Sequence, residues 1–480
     1  MLFNSYIFIL LFLPLALLLY YGLNQIKKYE LAKAALIGMS LWFYAYFQVS
    51  YLLIILSSIG INYLFSRLLE KRKSLLVLGI AVNIGIIFYF KYYNFFLENV
   101  GNLFDISFNL HNILMPLGIS FIIFQQISYL VDSYKGETKQ YTLCDYALFV
   151  TFFPQLVAGP IVMHGEMIPQ FRNVENKRLQ SSNLAKGIYL FAIGFGKKVL
   201  LADTLGAGVN WGYGNAGALT ALETIAVFVF YTLQLYFDFS GYCDMACGIA
   251  KMFGITLPIN FNSPYKATSI NDFWKRWHMS LTRFFRNYVY IPLGGNRKGK
   301  WRTIINTMIV FTLSGIWHGA NWTFILWGCL HGIALALGRL VRGIGRKIPK
   351  CIGWLYTFVF VTVLFGLFRA ETIGQFVILL KNILNGKPGG FSTGMLQCFD
   401  VLELTYIEEH VTLLQQTVNK FPWLNMCLIS GIALIIALFP KNCHQKEFKP
   451  TLLNGLGCIV LLVWATLSLS GLSNFLYFNF

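Results

Sequence analysis

Thirteen apolar runs, most of them about as long as a bilayer requires, dominate this chain and constrain what it can fold into. They fall near residues 2–23, 34–48, 50–66, 74–98, 113–132, 144–162, 184–202, 218–238, 303–321, 322–340, 352–370, 424–440 and 452–471. Their length and their scarcity of charge predict an all-α, polytopic membrane protein with about 11 to 13 transmembrane or re-entrant helices. Composition agrees: of 480 residues, 56% are hydrophobic and 12% charged, where soluble domains carry about 25% charged residues. The first run lacks a basic leader and a small-residue cleavage site, so it reads as a retained helix and not a signal peptide. There is no internal repeat and no low-complexity linker, which makes residues 1–480 a single membrane domain. The least apolar stretch, Lys381 to Phe421, holds Gly386, Pro388, Gly389 and Gly390 and then Glu403, Glu408 and Glu409. It reads as an excursion outside the membrane that could face a partner.

Charge and cysteine usage remove other classes. The net charge of +18 could suggest nucleic acid. The cations sit between the apolar runs, however, where orientation in a membrane explains them, and no DNA-binding motif accompanies them. Lys27, Lys28 and Lys33, then Arg67, Lys71, Arg72 and Lys73, bracket two short helices with a turn near Gln48. Both clusters can then be cytoplasmic, with the N-terminus outside. Nine cysteines without C-x-x-C spacing imply neither a disulfide framework nor a metal site.

Residues 311–322 read F-T-L-S-G-I-W-H-G-A-N-W and place His318 inside an apolar run. An ionisable side chain at membrane depth is costly, which makes it a candidate for function. At helical spacing Thr303, Thr307, Ser314, His318 and Asn321 fall near one face, a polar stripe that suggests an internal passage. Gly315 and Gly319 form a G-x-x-x-G pair that lets another helix approach closely. His331, 13 residues further on, reads as a helix-packing residue. Asp238 and Asp244 are six apart and do not share a helix face, so a catalytic carboxylate pair is not expected.

Between Pro264 and Arg302 nine basic residues face one acid, Asp272, and the segment is expected on the cytoplasmic side. Ser269, three residues before Asp272, predicts a helix start at about Ile270. Trp274, His278, Leu281 and Phe285 would share its apolar face, with Arg276, Arg283 and Arg286 elsewhere, as in an amphipathic interfacial helix. The excess of cations suggests recognition of a phosphate-bearing donor, with Arg276 and Arg283 as donor-binding candidates. For most of these cations, contact with lipid headgroups is the alternative.

The run N-D-F-W-K-R-W-H-M-S-L-T-R-F-F-R-N-Y-V-Y-I-P-L-G-G-N-R, followed by S-G-I-W-H-G-A-N-W-T-F-I-L-W-G, resembles the membrane-bound O-acyltransferases. It is most similar to the bacterial branch that contains the membrane components of alginate and peptidoglycan O-acetylation. Pro116–Asp132, Phe152–Ile161 and Tyr236–Ala246 match the same branch. The motif core covers about residues 110–340, with C-terminal helices and an aromatic tail over 350–480. The resemblance implies a multi-helix fold around a central tunnel, with the family histidine carried onto His318 and a second polar position carried onto His278. It also implies an acyl thioester donor such as acetyl-CoA, with no permanently bound cofactor. The implied partners are an extracytoplasmic SGNH-type acetyltransferase or esterase and a polysaccharide acceptor, and the implied location is a bacterial plasma membrane.

Transfer of an acyl group from a thioester to a hydroxyl needs a base for the hydroxyl proton and a donor for the developing oxyanion. His318 is assigned the first role, and His278 is assigned orientation or polarisation of the thioester carbonyl, or protonation of the departing thiol. The final residues, N-F-L-Y-F-N-F, resemble the aromatic C-terminal motif of the same branch, which makes Tyr477 a candidate acyl relay; an aromatic belt residue is the alternative. A transporter or flippase for a lipid-linked saccharide is the rival function, although the repeated halves common in transporters are not evident.

Overall fold

The computed structural model describes residues 1–69, 72–343, 349–469 and 475–476. Among these residues the chain is helix and loop without a strand. Six helices are long and apolar enough to cross a membrane: Phe8–Gln25, Tyr51–Leu68, Lys73–Phe104, Ala221–Met252, Trp322–Leu340 and Lys350–Arg369. Thr412–Lys420 and Leu424–Leu438, bent by 95° where they meet, make a seventh if counted as one span. Of the remaining apolar runs, 303–321 lies in the 20-residue helix Gly299–His318 and 184–202 in the continuous helical stretch 181–214, while others form shorter or broken helices. The 144–162 run, for example, breaks at Phe152, between Leu143–Thr151 and the single turn Phe153–Leu156. The Lys381–Phe421 region is built largely of short helices, among them Leu402–His410 and Thr412–Lys420.

The expected span at 218–238 is longer than its apolar run. Its helix covers 32 residues, Ala221–Met252, and most of it is buried. Asp238, Ser240, Gly241 and Asp244 hide the second half from a search for apolar runs, because their polarity is answered inside the protein. Lys198 Nζ lies 2.7 Å from Asp238 and 2.7 Å from Asp203, while Lys197 Nζ lies 2.6 Å from Asp244, which also meets His444 Nε2 at 2.8 Å. Each aspartate thus has its own lysine partner. Both lysines come from the π-helical stretch Lys197–Ala202, which joins Ser181–Gly196 to Asp203–Gly214 without a break.

A glycine seam sets the distance between these two long helical segments. A Cβ on Gly194 would lie 2.5 Å from the Gly241 carbonyl oxygen, and one on Gly241 would lie 2.7 Å from that of Gly194. Two turns away Gly187 and Gly248 repeat the contact at 2.7 and 2.6 Å. Backbones can approach this closely only where side chains are absent, the packing mode favoured within membranes.

The helices Gly299–His318 and Trp322–Gly343 form a tight hairpin. A Cβ on Gly315 would strike the Phe324 carbonyl oxygen at 2.3 Å, so the expected close approach is present. Gly319 lies just past the helix and packs on the Phe324 ring. The polar stripe is shorter than expected: Thr307, Ser314 and His318 are buried on it. Thr303 turns back to bond Gly299, and Asn321 lies beyond the helix end and donates to the Glu371 carbonyl.

The helix expected from Ile270 begins where predicted, with Ser269 Oγ accepting from the Asp272 amide. It ends at Trp274, and a second helix, Met279–Phe285, starts after His278. The expectation of one continuous amphipathic interfacial helix is therefore corrected. His278 has φ +44°, a left-handed conformation that no helix interior tolerates and that helical spacing cannot foresee. Trp274, Trp277, His278, Leu281 and Phe285 are all buried against the protein.

The seam generates a stability prediction. Gly241→Ala should lower the thermal midpoint of the detergent-purified protein, by an overpacking cost of about 1–3 kcal/mol. Gly85→Ala, with no atom within 4 Å of the new methyl group, should leave it within error of wild type or slightly higher. Equal midpoints for the two variants would show that the seam does not hold the helices together.

Candidate active site

His318 is the last residue of its helix, and the chain leaves it in extended conformation at Gly319. Its Nδ1 lies 2.6 Å from the Ser314 carbonyl oxygen, one turn earlier. A carbonyl only accepts, so Nδ1 carries the proton and Nε2 holds the lone pair. The imidazole is 4% exposed and walled by the edges of Trp317, Trp327 and Phe368 at centroid separations of 4.9, 5.1 and 5.3 Å. It lines a cavity of about 20 Å³, room for about one water molecule. Three segments singled out in the sequence meet at this cavity: the Pro116–Phe121 stretch, Val157 of the Phe152–Ile161 stretch, and Trp317 with His318.

His278 is fully buried. Its Nδ1 lies 3.2 Å from Asn260 Oδ1, which also accepts from the Ser280 amide at 3.1 Å and from Ser280 Oγ at 2.9 Å. The Met279 amide bonds the Asn260 carbonyl at 2.9 Å, and Ser280 Oγ accepts from the Ile161 amide at 3.0 Å. These bonds hold a left-handed residue whose backbone costs about 1–2 kcal/mol, the kind of strain found at functional sites. Because Nδ1 donates to Asn260, neutral His278 presents a lone pair at Nε2. It can polarise a carbonyl or protonate a thiol only as imidazolium. His278 does not line the cavity, but Phe121 and Trp317, which do, pack on it at 6.4 and 6.1 Å. Phe239 of the Ala221–Met252 helix closes the other side at 4.8 Å.

The other sequence candidates are placed as follows. His331 is buried, its Nδ1 accepting from Trp274 Nε1 at 3.2 Å, with the Trp327 ring between it and His318. That is a packing position. Arg276 is bonded to Asp272 and to the Asn262 carbonyl. Arg283 forms a forked pair with Glu166 and also reaches the Ile161 carbonyl. Tyr477 lies outside the described residues. Its neighbours Phe475 and Leu476 are anchored: the Leu476 amide donates to Asp238 Oδ2 at 2.9 Å, and Lys198 Nζ stands 4.7 Å over the Phe475 ring.

Sequence reasoning passed over Lys91, Tyr92 and Asn260. Lys91 lines the cavity beside His318. The signal was available, since Lys91 is a cation within the 74–98 run and meets the criterion that singled out His318. Among the described residues, Asp244 with Cys443 and His444, and Asp132 with Glu137 and His164, lie close enough to hold a metal ion. In each group a lysine ammonium already contacts the aspartate, Lys197 at 2.6 Å and Lys135 at 2.8 Å.

Residues 88–369 match the model of the membrane-bound O-acyltransferase family. The chain is 37% identical over its full length to a peptidoglycan O-acetyltransferase of Helicobacter pylori, covering 98% of that protein. It is 38% identical over 78% of its length to a probable alginate O-acetylase of Azotobacter vinelandii, covering 76% of it. It is 31% identical over 58% of its length to a teichoic acid D-alanyltransferase of Bacillus subtilis, covering 70% of it. With a family match that spans Lys91, His278, His318 and the helices around them, the chain belongs to the membrane-bound O-acyltransferase family.

Proposed function

We propose that this protein moves an acyl group, most simply acetyl, from a cytoplasmic thioester such as acetyl-CoA across a bacterial plasma membrane, for O-acylation of a cell-wall or exported polysaccharide. The observation that carries the reading is the setting of His318: Nδ1 is committed to the Ser314 carbonyl, so the basic Nε2 lone pair belongs to a buried imidazole that lines a cavity. In the reaction the acceptor hydroxyl gives its proton to Nε2 as its oxygen attacks the thioester carbonyl. The tetrahedral intermediate then collapses, the carbon–sulfur bond breaks, and the His318 imidazolium returns the proton to the departing thiolate. His278 is assigned orientation of the thioester carbonyl, acting through Phe121 and Trp317, which pack on it and line the cavity. The names of the relatives support acetyl and polysaccharide as the two ends of the transfer. Completion by a separate extracytoplasmic SGNH-type protein, with the N-terminus of this chain on that side, belongs to the same proposal.

Three experiments test it. His318→Ala and His318→Gln should abolish acyl transfer while the protein still accumulates in the membrane; retention of more than about a tenth of wild-type transfer removes the general-base role. For the donor-binding arginines, Arg283→Glu should lose thermal stability, and the swap Glu166→Arg with Arg283→Glu should recover it. If Arg283 also holds donor phosphate, the stable swap keeps a raised KM for donor, whereas a wild-type KM makes the pair structural only.

Tyr477 is proposed as a covalent way-station. Tyr477→Phe keeps the ring and removes the nucleophile, so polysaccharide acylation should be lost from a folded, inserted protein. Wild-type protein incubated with donor should yield a C-terminal peptide heavier by one acetyl group. Full acylation by the Phe variant would leave direct transfer from the His318 site as the route.

A further inference from the structure

Lys91 lies within the Lys73–Phe104 span, where a cation is expensive unless the protein compensates it. The compensation comes from one place. Lys91 Nζ donates to the carbonyl oxygens of Trp317 at 2.7 Å and His318 at 2.9 Å, and the adjacent Tyr92 hydroxyl donates to the Ile316 carbonyl. These three carbonyls belong to the last turn of the His318 helix. Carbonyls there have no partner within the helix, and they carry the negative end of its dipole. The chain leaves the helix in extended conformation at Gly319, and Lys91 and Tyr92 bring a cap to these carbonyls from elsewhere in the chain. Lys91 and Tyr92 stand side by side in a π-helical turn, Phe88–Tyr92. Such wide turns interrupt α-helices frequently at functional sites. The lysine also stands 5.9 Å from the Trp317 ring and lines the cavity that His318 lines.

We propose that Lys91 and Tyr92 form a positioning clamp: by capping the C-terminal carbonyls of the helix that ends in His318, they hold the backbone of that residue and so the direction of its Nε2. The clamp acts through His318 and rests on the general-base reading above. A displacement of about 1 Å at a reacting group can cost roughly 10²-fold in rate, so a cap two bonds from the imidazole-bearing Cα has a large lever. Lys91 could instead act on the developing oxyanion directly. Tyr92 separates the two roles, because it bonds the same helix end and does not line the cavity.

The test measures kcat, KM for acetyl-CoA and thermal midpoint for Lys91→Met, Lys91→Arg and Tyr92→Phe in full-length protein reconstituted in vesicles. The clamp predicts that Lys91→Met loses roughly 10- to 100-fold in kcat with KM within about twofold. Lys91→Arg, which keeps charge and donors, should recover most of the loss. Tyr92→Phe should lower kcat several-fold, also at constant KM. Wild-type kcat in a folded Lys91→Met protein overturns the proposal, as does Lys91→Met loss beside a Tyr92→Phe variant of full activity. Should Lys91→Met fail to fold, Tyr92→Phe decides alone, with full kcat overturning the clamp. Activity retained by His318→Ala refutes the general-base reading whatever Lys91 does. Inactive His318→Ala together with active Lys91→Met refutes only the clamp.

Discussion

A charge carried to bilayer depth must find its counter-charge inside the protein, and the lysine–aspartate pairs between the two most closely packed helical segments meet that demand. Lys197 with Asp244 and Lys198 with Asp238 join the 181–214 stretch to the Ala221–Met252 helix. The glycine seam beside them lets the two backbones touch. Removing one partner of such a pair leaves a buried charge with nothing to neutralise it, which costs far more than the pair contributes when intact. The long helix therefore has a fixed place in the fold. From it Phe239 packs on His278, and Asp238 receives the Leu476 amide of the C-terminal segment.

The site built on this scaffold uses one device twice. His318 and His278 each have Nδ1 committed to a protein oxygen, the Ser314 carbonyl for His318 and Asn260 Oδ1 for His278. In both, Nε2 becomes the atom that can receive a proton. The settings otherwise differ. His318 closes a long helix and lines the cavity, whereas His278 sits in strained backbone between two short helices, behind a shell of aromatic rings. Trp317 packs on both imidazoles, and Phe121 packs on His278 and lines the cavity, so the two histidines are linked through shared aromatic walls.

Much of this was legible in the sequence. The helical class follows from the apolar runs, the candidacy of His318 from its cost in lipid, the start at Ile270 from Ser269 and Asp272, and the tight hairpin from Gly315. What escaped is physically distinct. Helical spacing assumes continuous helix, so it joined Trp274 to Phe285 and missed the left-handed turn at His278. A search for apolar runs stops at polar residues, so it cut the long helix near Asp238, although the lysines that pair with its aspartates lie about 40 residues upstream. The partner of Arg283 is Glu166, 117 residues away, and no local pattern could supply it. Lys91 escaped for another reason: its cost in lipid was as visible as that of His318, but its partners are backbone carbonyls, which carry no signature in sequence.

The central claim, that His318 is the base at the reacting centre, is tested most directly by a cryo-electron microscopy structure with a thioether analogue of acetyl-CoA bound. The account predicts the analogue's carbonyl facing His318 Nε2 across the space of one hydroxyl group, with roughly 3 Å from that oxygen's position to each. A carbonyl seated in a different compartment of the protein, with protein atoms between it and His318, would contradict the account.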